Sequence, residues 1–132
     1  METQKRSGDS STPVGGLVNG PAVVVETTTT LEEVARTLGD LGIGMVVVMD
    51  KGSIAGMVSE RDLIWAIARG AQLDEVWAAD IMTKGVVTVE PSLSVIDAAA
   101  LMASENTRHI LVLHGDEPGV VSMTDVIEYL VD

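Results

Sequence analysis

The chain has 132 residues and carries 8 Lys plus Arg against 20 Asp plus Glu, a formal charge of −12. That length holds one ordinary domain or two half-size units sharing a core, and so few cations exclude a general nucleic-acid binder, whose affinity comes from neutralising phosphates. Hydrophobic residues make up 46% and Cys is absent, so the chain can bury a core and uses neither disulfides nor thiolate chemistry.

Residues 1–13 are polar, rich in Ser, Gly, Thr and Pro and without periodicity, and read as a mobile tail with no signal peptide. A Val-rich extended piece follows, holding Leu17, Val18, Val23 and Val25. Thr30-Leu31-Glu32-Glu33 is a capping box, and Leu31, Val34, Ala35, Leu38 and Leu41 form the apolar stripe of the helix it opens. Met45 to Met49 and Ile54 to Val58 are apolar runs joined by a turn, as expected of strands covered on both faces. A helix from Glu60 to Arg69 is stopped by Gly70, and Leu73 to Ala79 reads as a short connecting helix. The order then recurs: Val87 and Val89, a helix capped by Ser94 with Asp97, strands at Ile110 to Leu113 and Val120 to Val121, and a helix from Thr124 to Val131. With only Trp65, Trp77 and Tyr129 as aromatics, the core is built from Val, Ile, Leu, Met and Ala. The six methionines from Met45 to Met123 read as adaptable core filler. No run of about 18 apolar residues could span a bilayer, so a cytoplasmic protein is expected.

The chain matches itself at an offset of 64 residues that becomes 63 after one predicted hairpin turn. Leu17-Val18-Asn19 falls on Ile81-Met82-Thr83, Val48 on Val112, and Gly56, Ser59 and Asp62 on Gly119, Ser122 and Asp125. The single-residue difference is placed in the turn Asp50 to Ser53, where length changes are tolerated. The expected organisation is a tail at 1–13, a first repeat at 14–70 and a second at 71–132 that includes a connecting segment at 71–80.

The sharpest signal is Gly56-Met57-Val58-Ser59-Glu60-Arg61-Asp62, repeated as Gly119-Val120-Val121-Ser122-Met123-Thr124-Asp125. A Ser-x-x-Asp after a strand is a helix cap, and a glycine in a strand marks a bulge or turn. The same geometry suits an anion: a helix N-terminus offers unpaired N–H groups and partial positive charge. Its Ser hydroxyl could then bond a phosphate oxygen. An Asp one turn in could accept two hydrogen bonds from a cis-diol such as ribose, and glycine lets backbone approach a ligand. Both readings stand on the residues alone.

From Val14 to Asp132 the chain resembles a tandem pair of CBS domains, the cystathionine β-synthase module. The resemblance rests on the order of elements, the opening Asp80-Ile81-Met82-Thr83 of the second repeat and the two Gly-x-x-Ser-x-x-Asp motifs. It implies an α/β (α+β) fold of two βαββα repeats related by a pseudo-twofold axis, forming one CBS-pair module that assembles as a homodimer. It also implies clefts between the repeats that bind AMP, ADP, ATP, NAD or S-adenosylmethionine. Carried over residue by residue, Asp62 and Asp125 would hold ribose, and Ser59 and Ser122 phosphate. Ile81, Met82 and Val87 would sandwich adenine, as would Leu17, Val18 and Val23 for the first repeat.

The repeats differ in their cations, so unequal sites are expected. Arg108-His109 stands where the first repeat has Gly44-Met45, and Arg61 stands where the second has Thr124. Each arginine reads either as a phosphate contact or as a surface cation, Arg108 paired with Glu105 and Arg61 with Glu60; His109 reads equally as structural. Trp65 and Trp77 divide between core and dimer interface. His114, Asp74, Glu75, Asp116 and Glu117 read as solvated. No nucleophile with a base, no metal cluster and no phosphate-transfer loop is present, so no enzyme activity and no resident metal are expected; ATP would bring Mg²⁺ with it. The leading reading is a stand-alone regulatory module that binds an adenosine-containing ligand and signals to a separate protein. The alternative is a ligand-independent dimeric scaffold with vestigial clefts. Neither needs nucleic acid or membrane.

Overall fold

The computed structural model describes residues 8–115 and 117–131. Its elements are a 3-10 turn at Val14–Leu17, β1 (Val24–Glu26), α1 (Leu31–Leu41), β2 (Met45–Asp50), β3 (Ser53–Ser59), α2 (Glu60–Ala68), α3 (Ala78–Ile81), β4 (Thr88–Val89), α4 (Val95–Ser104), β5 (His109–His114), β6 (Glu117–Ser122) and α5 (Met123–Val131). The architecture is α+β, with the expected βαββα order in each half. The compact units, however, cut across the sequence repeats. Unit A is Val23–Val86, and unit B joins the segment up to Ala22 to the chain from Val87 onward.

In unit A the Thr30 capping box forms as read: Glu33 N–H donates to Thr30 Oγ1 at 3.2 Å and Thr30 N–H to Glu33 Oε1 at 3.4 Å. The helix it starts ends at Gly42, in left-handed backbone. α1 is the crossover that lets β1 pair parallel to β2, while β2 and β3 form an antiparallel hairpin. Lys51 and Gly52 both have positive φ at its tip, the backbone twist that a two-residue hairpin loop requires. Met45 to Val48 are all buried, so the middle strand is covered on both faces. Leu31, Val34, Leu38, Val46, Val48, Val58, Leu63 and Ala66 make the core, each large aliphatic side chain contributing about 1.5–3 kcal/mol.

Unit B repeats the plan, with β4 parallel and β6 antiparallel to β5. Its core is Val14, Val95, Ala98, Met102, Ile110, Val112, Val121 and Val126. Val14 comes from the N-terminal segment and is fully buried there. Ser94 caps α4, accepting from Asp97 N–H at 3.2 Å.

Three expectations are corrected. The extra residue of the first repeat is not in the turn: Asp50 pairs with Ser53 as His114 pairs with Glu117, and the irregularity lies between Val48 and Met49, opposite Ala55. A bulge absorbs the insertion and leaves the two-residue loop intact. The connecting helix at 73–79 is replaced by a turn and the short α3. The carbonyls of Val76 and Leu73 accept the first-turn amides Leu31 N–H (2.9 Å) and Glu32 N–H (3.0 Å) instead of continuing a helix. The tail is corrected in part: residues 1–7 lie outside the described residues, as do Asp116 and Asp132. Residues 8–13 are held, because α4 also needs first-turn acceptors. Thr12 O accepts Val95 N–H at 2.8 Å, Ser10 O accepts Ile96 N–H at 3.0 Å, and Tyr129 Oη donates to Thr12 Oγ1 at 2.8 Å.

Candidate functional site

Each Gly-x-x-Ser-x-x-Asp motif runs off the end of an edge strand into a helix. In unit A, Ser59 N–H donates to Asp62 Oδ2 at 2.8 Å and Asp62 N–H donates to Ser59 Oγ at 3.2 Å. In unit B the pair Ser122 and Asp125 repeats this at 2.9 and 3.0 Å. All four side chains are half-buried. The cap and a ligand site do not compete for every atom. A carboxylate has room for about four acceptor contacts, and a hydroxyl that accepts one N–H still has its own proton to give.

The helix N-termini are less open than the motif suggests. Glu60 N–H donates to Gly44 O at 3.0 Å and Met123 N–H to Arg108 O at 2.8 Å. With Asp62 N–H and Asp125 N–H committed to the caps, the first-turn amides left without an acceptor among the described residues are those of Arg61 and Thr124. An anion here would meet one amide and one hydroxyl per helix, which favours a single phosphate over a chain of them.

The motif glycines are approached by the protein's own chain. A Cβ on Gly56 would lie 2.6 Å from Thr83 O and 2.9 Å from Met82 Sδ, and one on Gly119 would run into the side chain of Val18. This pairing is crossed. Met82 and Thr83 open the second sequence repeat but sit on the first motif, in unit A; Val18 opens the first repeat but sits on the second motif, in unit B. Of the residues read as adenine-lining, Ile81, Met82 and Val23 pack on the core of unit A, and Leu17, Val18 and Val87 on that of unit B. Val23 O and Val87 O accept from the middle strands, through Val47 N–H and Leu111 N–H, both at 2.9 Å. The missing signal was long-range, since no local pattern says which edge a segment will cover.

Arg61 and Arg108 are exposed, and neither is ion-paired among the described residues. Arg61 lines an open groove with Glu60, Ile64, Trp65 and Ala68. His109 sits in β5 opposite Ser122, its N–H donating to Thr107 Oγ1 at 3.4 Å. Unit B also holds a cleft of about 270 Å³ lined by Gly15, Val18, Gly20, Pro21, His114, Glu117, Pro118 and Gly119. Trp65 and Trp77 are about half exposed, at 53% and 48%, so neither is a core residue. Among the described residues no helix is long and apolar enough to cross a membrane.

The CBS domain model matches twice, over residues 14–69 and 78–132. An uncharacterized protein of Methanopyrus kandleri is 34% identical over 122 residues, covering 89% of this chain and 62% of that protein. The arabinose 5-phosphate isomerase of Yersinia pestis is 34% identical over 87 residues, 64% of this chain but only 26% of the isomerase. The chain thus spans less than two thirds of the length of either relative. Among solved structures, a CBS domain protein from Pyrobaculum aerophilum complexed with AMP superposes with a TM-score of 0.76 at 30% identity, covering 86% of this chain and 88% of that one. With both repeats matched and their elements in the expected order, the chain belongs to the CBS domain family.

Proposed function

We propose that the chain is a non-catalytic regulatory module that binds an adenosine-containing ligand, AMP before ADP or ATP, and signals its presence to a separate protein in the cytoplasm. The observation that carries this reading is the duplicated Ser–Asp box. In both units a half-buried carboxylate is oriented by a backbone N–H beside a hydroxyl that retains its proton. Asp62 or Asp125 accepts from the ribose diol; Ser59 or Ser122, with the Arg61 or Thr124 amide, holds the phosphate. Met82 and Ile81, or Val18 and Leu17, flank the base. Arg61, Arg108 and His109 supply the available positive charge. The AMP complex of the Pyrobaculum relative supports the choice of ligand. NAD and S-adenosylmethionine belong to the same class, and ATP would carry Mg²⁺. The exposed apolar face of α2, with Ile64, Trp65 and Ile67, supports a homodimer.

Thermal unfolding against AMP, ADP, ATP with and without Mg²⁺, NAD and S-adenosylmethionine tests the reading. A ligand at about 100 times its Kd adds roughly 2.7 kcal/mol, which moves the midpoint by several degrees. A shift with one ligand and no turnover of it is the expected result. No shift with any ligand would turn the reading to the dimeric interaction scaffold.

A further inference from the structure

The two motif copies differ at the outer edge of the strand that precedes the cap. In unit A, Met57 N–H donates to Thr83 O at 3.0 Å and Thr83 N–H donates to Met57 O at 2.8 Å, an isolated antiparallel bridge. The edge beside the Ser59–Asp62 box is therefore taken by the chain's own backbone.

In unit B the same strand position is Val120. Leu111 N–H points to β4, donating to Val87 O at 2.9 Å, so the Leu111–Val120 pair is of the non-hydrogen-bonded kind. The N–H and C=O of Val120 consequently point out of the sheet edge, and no described residue bonds to either. The segment that would cover them takes another path. Thr83-Lys84-Gly85-Val86 is replaced by Asn19-Gly20-Pro21-Ala22, in which Gly20 has a φ of 99° and Pro21 has no N–H to give. The donor from this segment that does reach β6 is Ala22 N–H, and it binds Pro118 O at 2.8 Å, beyond Val120. The 270 Å³ cleft lies further along the same edge, toward the hairpin tip, where Gly20, Pro21, Pro118 and Gly119 line it together with His114 and Glu117.

Resting on the nucleotide reading above, we infer that the two sites are unequal by construction. Unit B takes the base on the outward N–H and C=O of Val120, and unit A is closed by its Met57–Thr83 bridge, so each chain binds one nucleotide. An N–H beside a C=O complements the N1 acceptor and 6-amino donor of adenine. Hypoxanthine presents N1–H and O6 in the reverse sense and leaves both backbone groups unpaired, so IMP is rejected.

Isothermal titration of the full chain with AMP, with IMP alongside, tests this. The expected stoichiometry is one per chain, IMP binds at least about tenfold more weakly, and Asp125→Asn, which keeps a cap acceptor, weakens AMP by about tenfold or more. Two AMP per chain, or equal affinity for IMP, overturns the inference while leaving nucleotide binding standing. No binding of any adenine nucleotide overturns the functional reading and this inference together. A measurement that needs no variant is amide chemical shift in the wild-type chain. Saturating AMP moves the Val120 amide and leaves that of Met57 in place, and a Met57 response as large as that of Val120 would sink the asymmetry.

Discussion

Gly56→Ala puts the crossed packing of unit A under direct strain. The added methyl would stand 2.6 Å from Thr83 O, a backbone atom, and 2.9 Å from Met82 Sδ. Met82 can swing its thioether away, but the carbonyl must retreat by roughly 0.6 Å or more to reach ordinary contact. That retreat stretches the 3.0 Å bond from Met57 N–H to about 3.6 Å, where it no longer counts as a hydrogen bond. Losing the two bridge bonds costs about 1 kcal/mol each, and overpacking adds about 1–3 kcal/mol. A total of about 3–5 kcal/mol lowers Tm by about 10–20 °C for a chain of this size. The matched control is Gly119→Ala, where the obstacle is the Val18 side chain. A side chain can yield by changing rotamer, and no backbone bridge is at stake, so the expected loss is about 1 kcal/mol. Thermal melts followed by circular dichroism give both values, and hydrogen exchange at the Met57 amide reports the bridge itself. A Gly56→Ala midpoint within about 2 °C of wild type, or a larger loss for Gly119→Ala, would refute the argument.

Two further substitutions test other contacts. Tyr129→Phe removes the hydroxyl that donates to Thr12 Oγ1 at 2.8 Å and is expected to cost about 1 kcal/mol, seen as a Tm lower by about 3–6 °C; an unchanged melt would mean that residues 8–13 add nothing to the stability of unit B. Ile64→Glu places a charge on the apolar face of α2, where Ile64 is 65% exposed, and is expected to convert a dimer to a monomer in sedimentation equilibrium without lowering Tm at equal protein concentration by more than the dimer contributes. A wild-type chain that sediments as a monomer would remove the dimer from the functional reading.

Much of this protein could be read from short stretches of chain. Thr30 with Glu33, and Ser94 with Asp97, mark helix starts because capping is settled within four residues. The apolar runs at Met45–Val48 and Ile110–Val112 announce buried middle strands for a similarly local reason, since strands covered on both faces need not alternate. The two Ser–Asp boxes also close within one helical turn, and their duplication is visible as identity at a fixed offset. Where reading failed, the deciding partner was distant. An inserted residue is expected in the turn because turns tolerate insertion, but the hairpin loop holds two residues to match the strand twist, so the bulge opposite Val48 and Met49 takes it. Ser10 and Thr12 looked like tail because nothing nearby demands them; the demand comes from the first-turn amides of α4, more than eighty residues away.

By itself the sequence determined the element order, the two capped strand-to-helix junctions and the family. Those depend on side-chain period and on hydrogen bonds closed within a turn, which a repeat carries with it wherever it packs. Only the tertiary structure decided that each repeat lends its opening segment to the other's motif, and that Thr83 closes the edge at Met57 while the edge at Val120 stays open. Backbone N–H and C=O groups are the same at every residue. Which of them are paired across long separations is set by the path of the covering segment, and a glycine and a proline at positions 20 and 21 redirect that path.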